Sequence, residues 1–358
     1  MKEFRKARVA IAGTGWRADF FARICEALPE RFELIGIMYH SEKSRDTVTK
    51  YNVPLTTSLD ELCAMKPDYI VLSLNGKVMP DAMRTCARHG IPVLCETFTM
   101  ENEEALNAFY AELKDAKIQF AEQYKFQPLN YARQALADKG VLGDVFHMRM
   151  SISTHHHPAA LVRLTLGKGF ELPVISAFKQ THRILKGPGR AGDPDKEEYV
   201  DAVHEITFFD YGDKLGINDF EANQHRSFNR SNYFLIRGSR GEIVNESASY
   251  MLDELTPVRI ELKREVAGAG VDLQGMFLRG VSAGTFGMLY ESEFMPARLY
   301  DDELAVASTM AGMSRYVFEG EGFYSFEEEL TNMYFSLLTE RALATGEKQQ
   351  AQAQSWMK

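Results

Sequence analysis

The sequence predicts an α/β chain. A doubly wound parallel sheet comes first, and an α+β domain with a large, mainly antiparallel open sheet follows it. Three observations carry this. Short apolar runs recur every ~25–30 residues between Val9 and Ala121, with helical patterns between them. The first run opens onto a glycine-rich turn. Beyond Lys125 the alternation stops, and β-like runs follow one another with hairpin chemistry between them.

Taken in order, Val9–Ala12 is a continuous apolar run, as expected of a strand covered on both faces. Gly13-Thr14-Gly15-Trp16-Arg17-Ala18 then fits G-x-G-x-x-G/A, and Phe20, Phe21 and Ile24 continue at helical spacing. Gly13 suits the tight strand-to-helix turn, Gly15 lets a pyrophosphate approach the backbone, and Ala18 lets helix and strand pack closely. The orphan N–H groups of the helix would face the phosphates. Phe32–Met38 is a second strand. The end of such a strand meets the adenosine ribose, where a carboxylate would select NAD. Here stand Tyr39, His40 and Ser41, with Lys43 and Arg45 behind, which favours NADP. Ser58, three residues before Glu61, predicts a helix N-terminus. Tyr69–Leu74 is the third strand, with Leu74-Asn75-Gly76 at its carboxyl end. A helix over Pro80–His89, a strand at Ile91–Cys95 and Glu96-Thr97-Phe98 follow. A helix over Glu101–Ala116 and a strand at Ile118–Ala121 complete a Rossmann dinucleotide-binding domain over residues 1–124.

Residues 125–358 read as a substrate-binding and oligomerisation domain. Pro128–Lys139 is a helix closed by Gly140. Strands are expected at Val145–Ser153, Val174–Arg183, Val203–Tyr211, Lys214–Glu221, Tyr233–Arg237 and Glu242–Asn245. Tyr211-Gly212-Asp213 and Gly238-Ser239-Arg240-Gly241 have turn chemistry. Ala305–Val317 and Phe326–Thr345 are closing helices, the second with Ser325 as N-cap and Glu328 three residues on. The polar tail from Gly346 reads as partly ordered.

Composition narrows the classes. A chain of 358 residues exceeds one core. A formal net charge of −9 argues against a nucleic-acid partner. The opening MKEFRKARVAIAG has basic residues before apolar ones, but its apolar run is too short for a signal peptide. No stretch approaches the length of a membrane span. The 4 cysteines, all between Cys25 and Cys95, show no C-x-x-C spacing and read as reduced, buried thiols, which points to the cytoplasm.

The order of motifs resembles the glucose–fructose oxidoreductase, inositol dehydrogenase and rhizopine-catabolism (Gfo/Idh/MocA) oxidoreductases along essentially the whole chain. AIAGTGWRA is similar to the family's fingerprint, KPDYIVLSLN to its third-strand segment, and HGIPVLCET to the stretch written G-K-H-V-L-C-E-K-P. EQYKFQPLNYARQALADKGVLGDVFHMRM resembles the crossover into the second domain. His157-Pro158 and Arg163 ahead of Leu166-Gly167 fit its G-x-H-x-x-D-x-x-R-x-L-L-G helix. The resemblance implies a dinucleotide site of Gly13, Thr14, Gly15, Trp16, Arg17, His40, Ser41, Leu74, Asn75, Glu96, Thr97 and Gln123. The departures fall on chemistry. The E-K-P lysine is Thr97, the proline is Phe98, the aspartate of H-x-x-D is Ala160, and the third-strand histidine is Val78.

Hydride transfer at an alcohol carbon needs a group to take or give the hydroxyl proton. Thr97 cannot be that base, although its hydroxyl could position substrate. His157 is the first candidate, then His182, then Lys125. His155, Arg163 and Arg183 are candidates for substrate contact. His155-His156-His157 offers two same-face histidines without a carboxylate nearby, a poor zinc site, so no metal is expected. The function expected is an NAD(P)-dependent oxidoreductase acting on a sugar, cyclitol or glycoside. The alternatives are a lyase or hydrolase assisted by tightly bound NAD, and a non-catalytic NAD(P) sensor. The expected assembly is a homodimer or homotetramer through the C-terminal sheet.

Overall fold

The computed structural model describes residues 4–154, 156–189, 192–222, 224–268 and 275–357. The chain divides into two compact units. One is Met1–Tyr131 with Arg264–Val281 and Tyr290–Glu329. The other is Ala132–Lys263 with Ser282–Leu289 and Leu330–Lys358.

The first unit is built on six parallel strands. Chain order runs β1 (Ala7–Ala12), α1 (Trp16–Ala27), β2 (Phe32–Met38), α2 (Glu42–Asp46), β3 (Leu55–Thr56), α3 (Leu59–Ala64), β4 (Tyr69–Leu72), α4 (Met79–Arg88), β5 (Val93–Cys95), α5 (Glu103–Leu113) and β6 (Ile118–Phe120). Their order across the sheet is β3-β2-β1-β4-β5-β6, as the doubly wound reading expects. The apolar runs explain it. Val9, Ala10 and Ala12 in β1 and all of β4 are fully enclosed. A strand without a solvent face needs no polar alternation. The four cysteines are free and buried.

Two features lie beyond the pattern. The two-residue β3 and five-residue α2 are too short to show periodicity. At α3, Ser58 Oγ accepts from Glu61 N as expected, but the Glu61 carboxylate turns to the Thr56 hydroxyl instead of back to the cap.

Later chain completes this unit. α8 (Asp301–Glu319) packs on α1 and β4, and Tyr69 Oη donates to the Met310 carbonyl at 3.3 Å. Phe323–Ser325 closes the edge at β6: Gln119 Oε1 accepts from Phe323 N and Tyr324 N at 2.8 and 2.9 Å, and Phe120 N donates to Tyr324 O at 3.1 Å.

The rest of the chain contributes α6 (Pro128–Asp138), β7 (Val145–Ser151), α7 (His157–Leu166), β8 (Val174–Leu185), β9 (Tyr199–Asp210), β10 (Leu215–Glu221), β11 (Tyr233–Gly238), β12 (Gly241–Val244), β13 (Ser247–Met251), β14 (Pro257–Ala267), β15 (Phe277–Ala283), β16 (Met288–Glu291), α9 (Phe326–Thr345) and β17 (Gln349–Gln350). The second sheet has eleven strands in the order β16-β15-β14-β13-β12-β11-β7-β10-β9-β8-β17. From β14 to β17 across this order the neighbouring strands pair antiparallel, except β7 with β10, which are parallel.

Within the second unit, α7 lies against β7 and β10. A Cβ on Gly216 would stand 2.4 Å from Val162 Cγ1, so the glycine is what lets this helix sit so close. The C-terminal tail corrects its expectation. Trp356 is buried, its indole donates to Thr331 Oγ1 at 3.0 Å, and Gln352 N donates to Tyr334 Oη at 2.8 Å. The buried indole, with these bonds and the pairing of β17 with β8, holds a tail that its polar composition alone would leave loose.

The sheet face away from α7 carries an ion cluster. Asp219 meets His204 Nε2 at 2.6 Å and Arg149 Nη2 at 2.5 Å. Burial works against the Asp219 anion, but hydrogen bonds from His204 and Arg149 outweigh it and hold its carboxyl below the usual 3.8. A depressed carboxyl stabilises the fold fully above its unfolded pKa, and the benefit is lost as pH falls through the folded value. Asp219→Asn should therefore make the Tm less sensitive to acid below about pH 5. An unchanged Tm–pH curve would show that the cluster contributes nothing.

Candidate functional site

In a sheet of this order, ligands bind outside the carboxyl ends of the strands, at the reversal between β1 and β4. The loops after β1, β2, β4, β5 and β6 lie at that end of the sheet.

The loop after β1 supplies the backbone. Gly13 has φ +129°, and a Cβ on it would lie 2.1 Å from the Ser73 carbonyl oxygen. It is the close-packed glycine. Gly15 is the opposite case: it N-caps α1 with φ −71° and ψ 172°, no side chain caps the helix, and a Cβ there would meet nothing within 4 Å. With no side-chain cap, the first turn of α1 is suited to an anion in both dipole and donors. Asp19 sits in this first turn, but Lys50 at 2.7 Å and Arg23 at 3.1 Å offset its charge. These features fit a dinucleotide pyrophosphate. Trp16 is half exposed and packs edge-on against Phe20.

After β2, Tyr39 and the exposed His40 precede Ser41. The Ser41 hydroxyl is taken up by a reciprocal cap with Ser44 at the start of α2. The nearest acid, Glu42, is exposed and pairs with Arg45 at 3.3 Å.

After β4, Asn75 Oδ1 accepts from Lys77 N at 3.0 Å and shapes its own turn. Leu74 is half-buried beside it. After β5, Glu96 Oε1 accepts from Arg17 Nε at 2.7 Å, with the two side chains only 18% and 11% exposed. Thr97 is half-buried, while Phe98 is core, packed on Phe109 and Phe120 at 5.4 and 5.8 Å. Beyond β6, Gln123 precedes a short helical turn, and the buried Glu122 accepts from Tyr124 N at 3.0 Å. Lys125 Nζ donates to the Phe323 carbonyl and lies 4.9 and 4.7 Å from the Phe126 and Tyr324 rings. Burial pushes its pKa down, against the pull of Glu328 and Glu122.

The structure therefore gathers Gly13, Gly15, Arg17, Asn75 and Glu96 at the carboxyl ends of β1, β4 and β5. Sequence reasoning named Arg17 and Glu96 separately and missed their pairing. It also missed Asp302, whose negative charge acts on Arg17 and whose Oδ1 accepts from Gln127 Nε2 at 2.7 Å.

In the second unit, His157 opens α7 half-buried, its ring 4.0 Å from that of His156, with Pro158 in the first turn. His155 lies outside the described residues. Ala160, at the expected aspartate position, is buried. Arg163 is also buried and has internal partners: Nε donates to Gly169 O at 2.6 Å and Nη1 to Asn332 Oδ1 at 2.7 Å. Those bonds give it a structural task that its sequence position did not disclose. His182 and Arg183 project to opposite faces of β8, both exposed. The His182 ring lies 6.0 Å from that of His204.

Comparison with known proteins places the chain. Residues 7–134 match the family described as GFO_IDH_MocA, "Oxidoreductase family, NAD-binding Rossmann fold". No curated protein sequence matches. Among solved structures, levoglucosan dehydrogenase in complex with NADH and levoglucosan is similar at TM-score 0.69 and 14% identity, covering 97% of this chain and 99% of that one. A myo-inositol dehydrogenase from Corynebacterium glutamicum gives 0.67 and 14%, covering 98% and 100%. GenD2 from gentamicin A biosynthesis, in complex with NAD, gives 0.65 and 16%, covering 99% and 98%. At these identities the structures share the fold, along nearly the full length of both chains. Over residues 7–134, and in agreement with the motifs read from its sequence, the chain is similar to the NAD-binding domain of the Gfo/Idh/MocA oxidoreductases.

Proposed function

We propose that this protein is an NAD(P)-dependent dehydrogenase that moves a hydride to or from a hydroxyl-bearing carbon of a sugar, cyclitol or glycoside. One observation carries the reading: α1 presents an uncapped, dipole-positive N-terminus behind an open Gly15, at the β1–β4 reversal. The polyhydroxylated substrate class is supported by the levoglucosan and myo-inositol dehydrogenases among the structural neighbours.

When bound, the nicotinamide supplies the hydride acceptor or donor; this chain's residues hold it and manage the proton. The α1 amides take the pyrophosphate. Tyr39 and His40 at the end of β2 present no carboxylate to the adenosine ribose, which supports NADP over NAD. Asn75 and Gln123 flank the other half. Thr97 positions substrate through its hydroxyl and leaves the proton to a stronger base. We assign that base to His157, an imidazole being the natural proton acceptor where the lysine is absent. His182 is second. Lys125, with its ammonium committed to the Phe323 carbonyl, is third. Arg183 and His155 remain the candidates for substrate contact. The face of the second sheet that carries Phe178, which is 50% exposed, supports assembly into a homodimer or homotetramer, and the free, buried cysteines support a cytoplasmic location.

Thermal unfolding with NAD⁺, NADP⁺ and their reduced forms tests the reading. A ligand at a hundredfold its Kd should stabilise by about 2.7 kcal/mol, and NADP(H) should do so at lower concentration than NAD(H). No shift with any of the four would overturn the assignment.

A further inference from the structure

The Arg17–Glu96 pair is costly in its present form. The Arg17 side chain is 11% exposed, yet it meets the carboxylate side-on through Nε alone. Its Nη2 is closed off from solvent and has no hydrogen-bond partner among the described residues. A buried cationic donor left unmet is destabilising, and such groups in folded proteins call for an explanation. The pair is also oddly placed for a structural bridge. Arg17 belongs to the first turn of α1, inside the dinucleotide fingerprint, and Glu96 follows β5.

Placement selects the ligand half. In this strand order the adenosine half lies over β1, β2 and β3, and the other mononucleotide half over β4, β5 and β6. Glu96 is on that second side, anchored by its own N–H to the Leu72 carbonyl of β4 at 2.9 Å. Beside it, position 97 carries an uncharged threonine where the family motif carries lysine.

We propose that Arg17 is a positioning residue for the nicotinamide half of the dinucleotide. From α1 it supplies the cation that Thr97 does not, and it fixes the Glu96 carboxylate to accept hydroxyls of the nicotinamide ribose. This rests on the dinucleotide reading above and goes beyond it by dividing the cofactor between two groups of residues. The α1 amides hold the pyrophosphate, and the Arg17–Glu96 pair reads what lies past it. A guanidinium suits the task, because it stays charged when buried and keeps a fixed fork of donors.

Fragment binding tests it on the full-length protein. ADP, ADP-ribose and NAD⁺ are titrated by calorimetry against wild type, Arg17→Met, Arg17→Lys and Glu96→Gln. Arg17→Met and Glu96→Gln should each weaken ADP-ribose and NAD⁺ about tenfold while leaving ADP within about twofold. Arg17→Lys should recover part of the loss. If Arg17→Met does not fold, Arg17→Lys and Glu96→Gln still report the same selectivity. Equal weakening of all three ligands, or no weakening, overturns the role of Arg17. A wild-type protein that binds none of them, nor NADP⁺, overturns the dinucleotide reading itself.

Discussion

His157→Ala is expected to lower kcat by about 10²–10⁴-fold while leaving the Kd for NAD(P)H unchanged. The size follows from the division of labour proposed above. Hydride transfer at an alcohol carbon strands a proton unless a base takes it, and Thr97 is far too weak an acid or base near neutral pH. The position of His157 is well held. It begins α7 with Pro158 in the first turn, and the helix is seated against β10 by the Val162–Gly216 contact. Steady-state turnover on a panel of polyols, with cofactor binding followed by fluorescence, separates chemistry from binding. Turnover at the wild-type rate would remove His157 from the role and pass the question to His182.

The second large effect contrasts two glycines of one motif. Gly13→Ala should cost about 3 kcal/mol or more, a fall in Tm of roughly 6–12 °C, because it combines positive-φ strain with overlap onto the Ser73 carbonyl. Gly15→Ala should leave Tm almost unchanged, since its φ of −71° is ordinary and its Cβ would meet nothing. That same methyl would fill the space the pyrophosphate needs, and dinucleotide affinity should fall about 10–100-fold. Calorimetric Tm and Kd on the two variants check the contrast. A destabilised Gly15→Ala, or one that binds NAD(P)H normally, would contradict the assignment of the two roles.

The first sheet was legible because its strands are enclosed on both faces, so burial writes itself as unbroken apolar runs such as Tyr69–Leu72. The later strands of the second sheet left a fainter trace. β14, PVRIELKREVA, carries Arg259, Glu261, Lys263 and Arg264 on a largely exposed strand, and a strand that buries little has little hydrophobic period to read. The site divided in the same way. Gly13 and Gly15 stand two residues apart and their task is local. Arg17 and Glu96 are 79 residues apart, and only the strand order, which places β5 one strand beyond β4, brings them into reach. Arg163 shows the reverse limit. Its place on α7 resembled a ligand-binding arginine, but Asn332, 169 residues on, claims it from the far end of the chain.

The late segments that complete the first unit also constrain how the protein comes into being. β6 keeps a bare edge until Phe323–Ser325 covers it, and Tyr69 lacks its acceptor until Met310 exists. On the ribosome, the nucleotide-binding unit is thus begun before the second unit and finished only after most of it has been made. It must wait, with an unpaired strand edge and an uncovered face, while the intervening residues are synthesised. Its vulnerable period is therefore set by the length of the chain inserted into it, and an N-terminal fragment ending near Tyr131 would be released in that unfinished state.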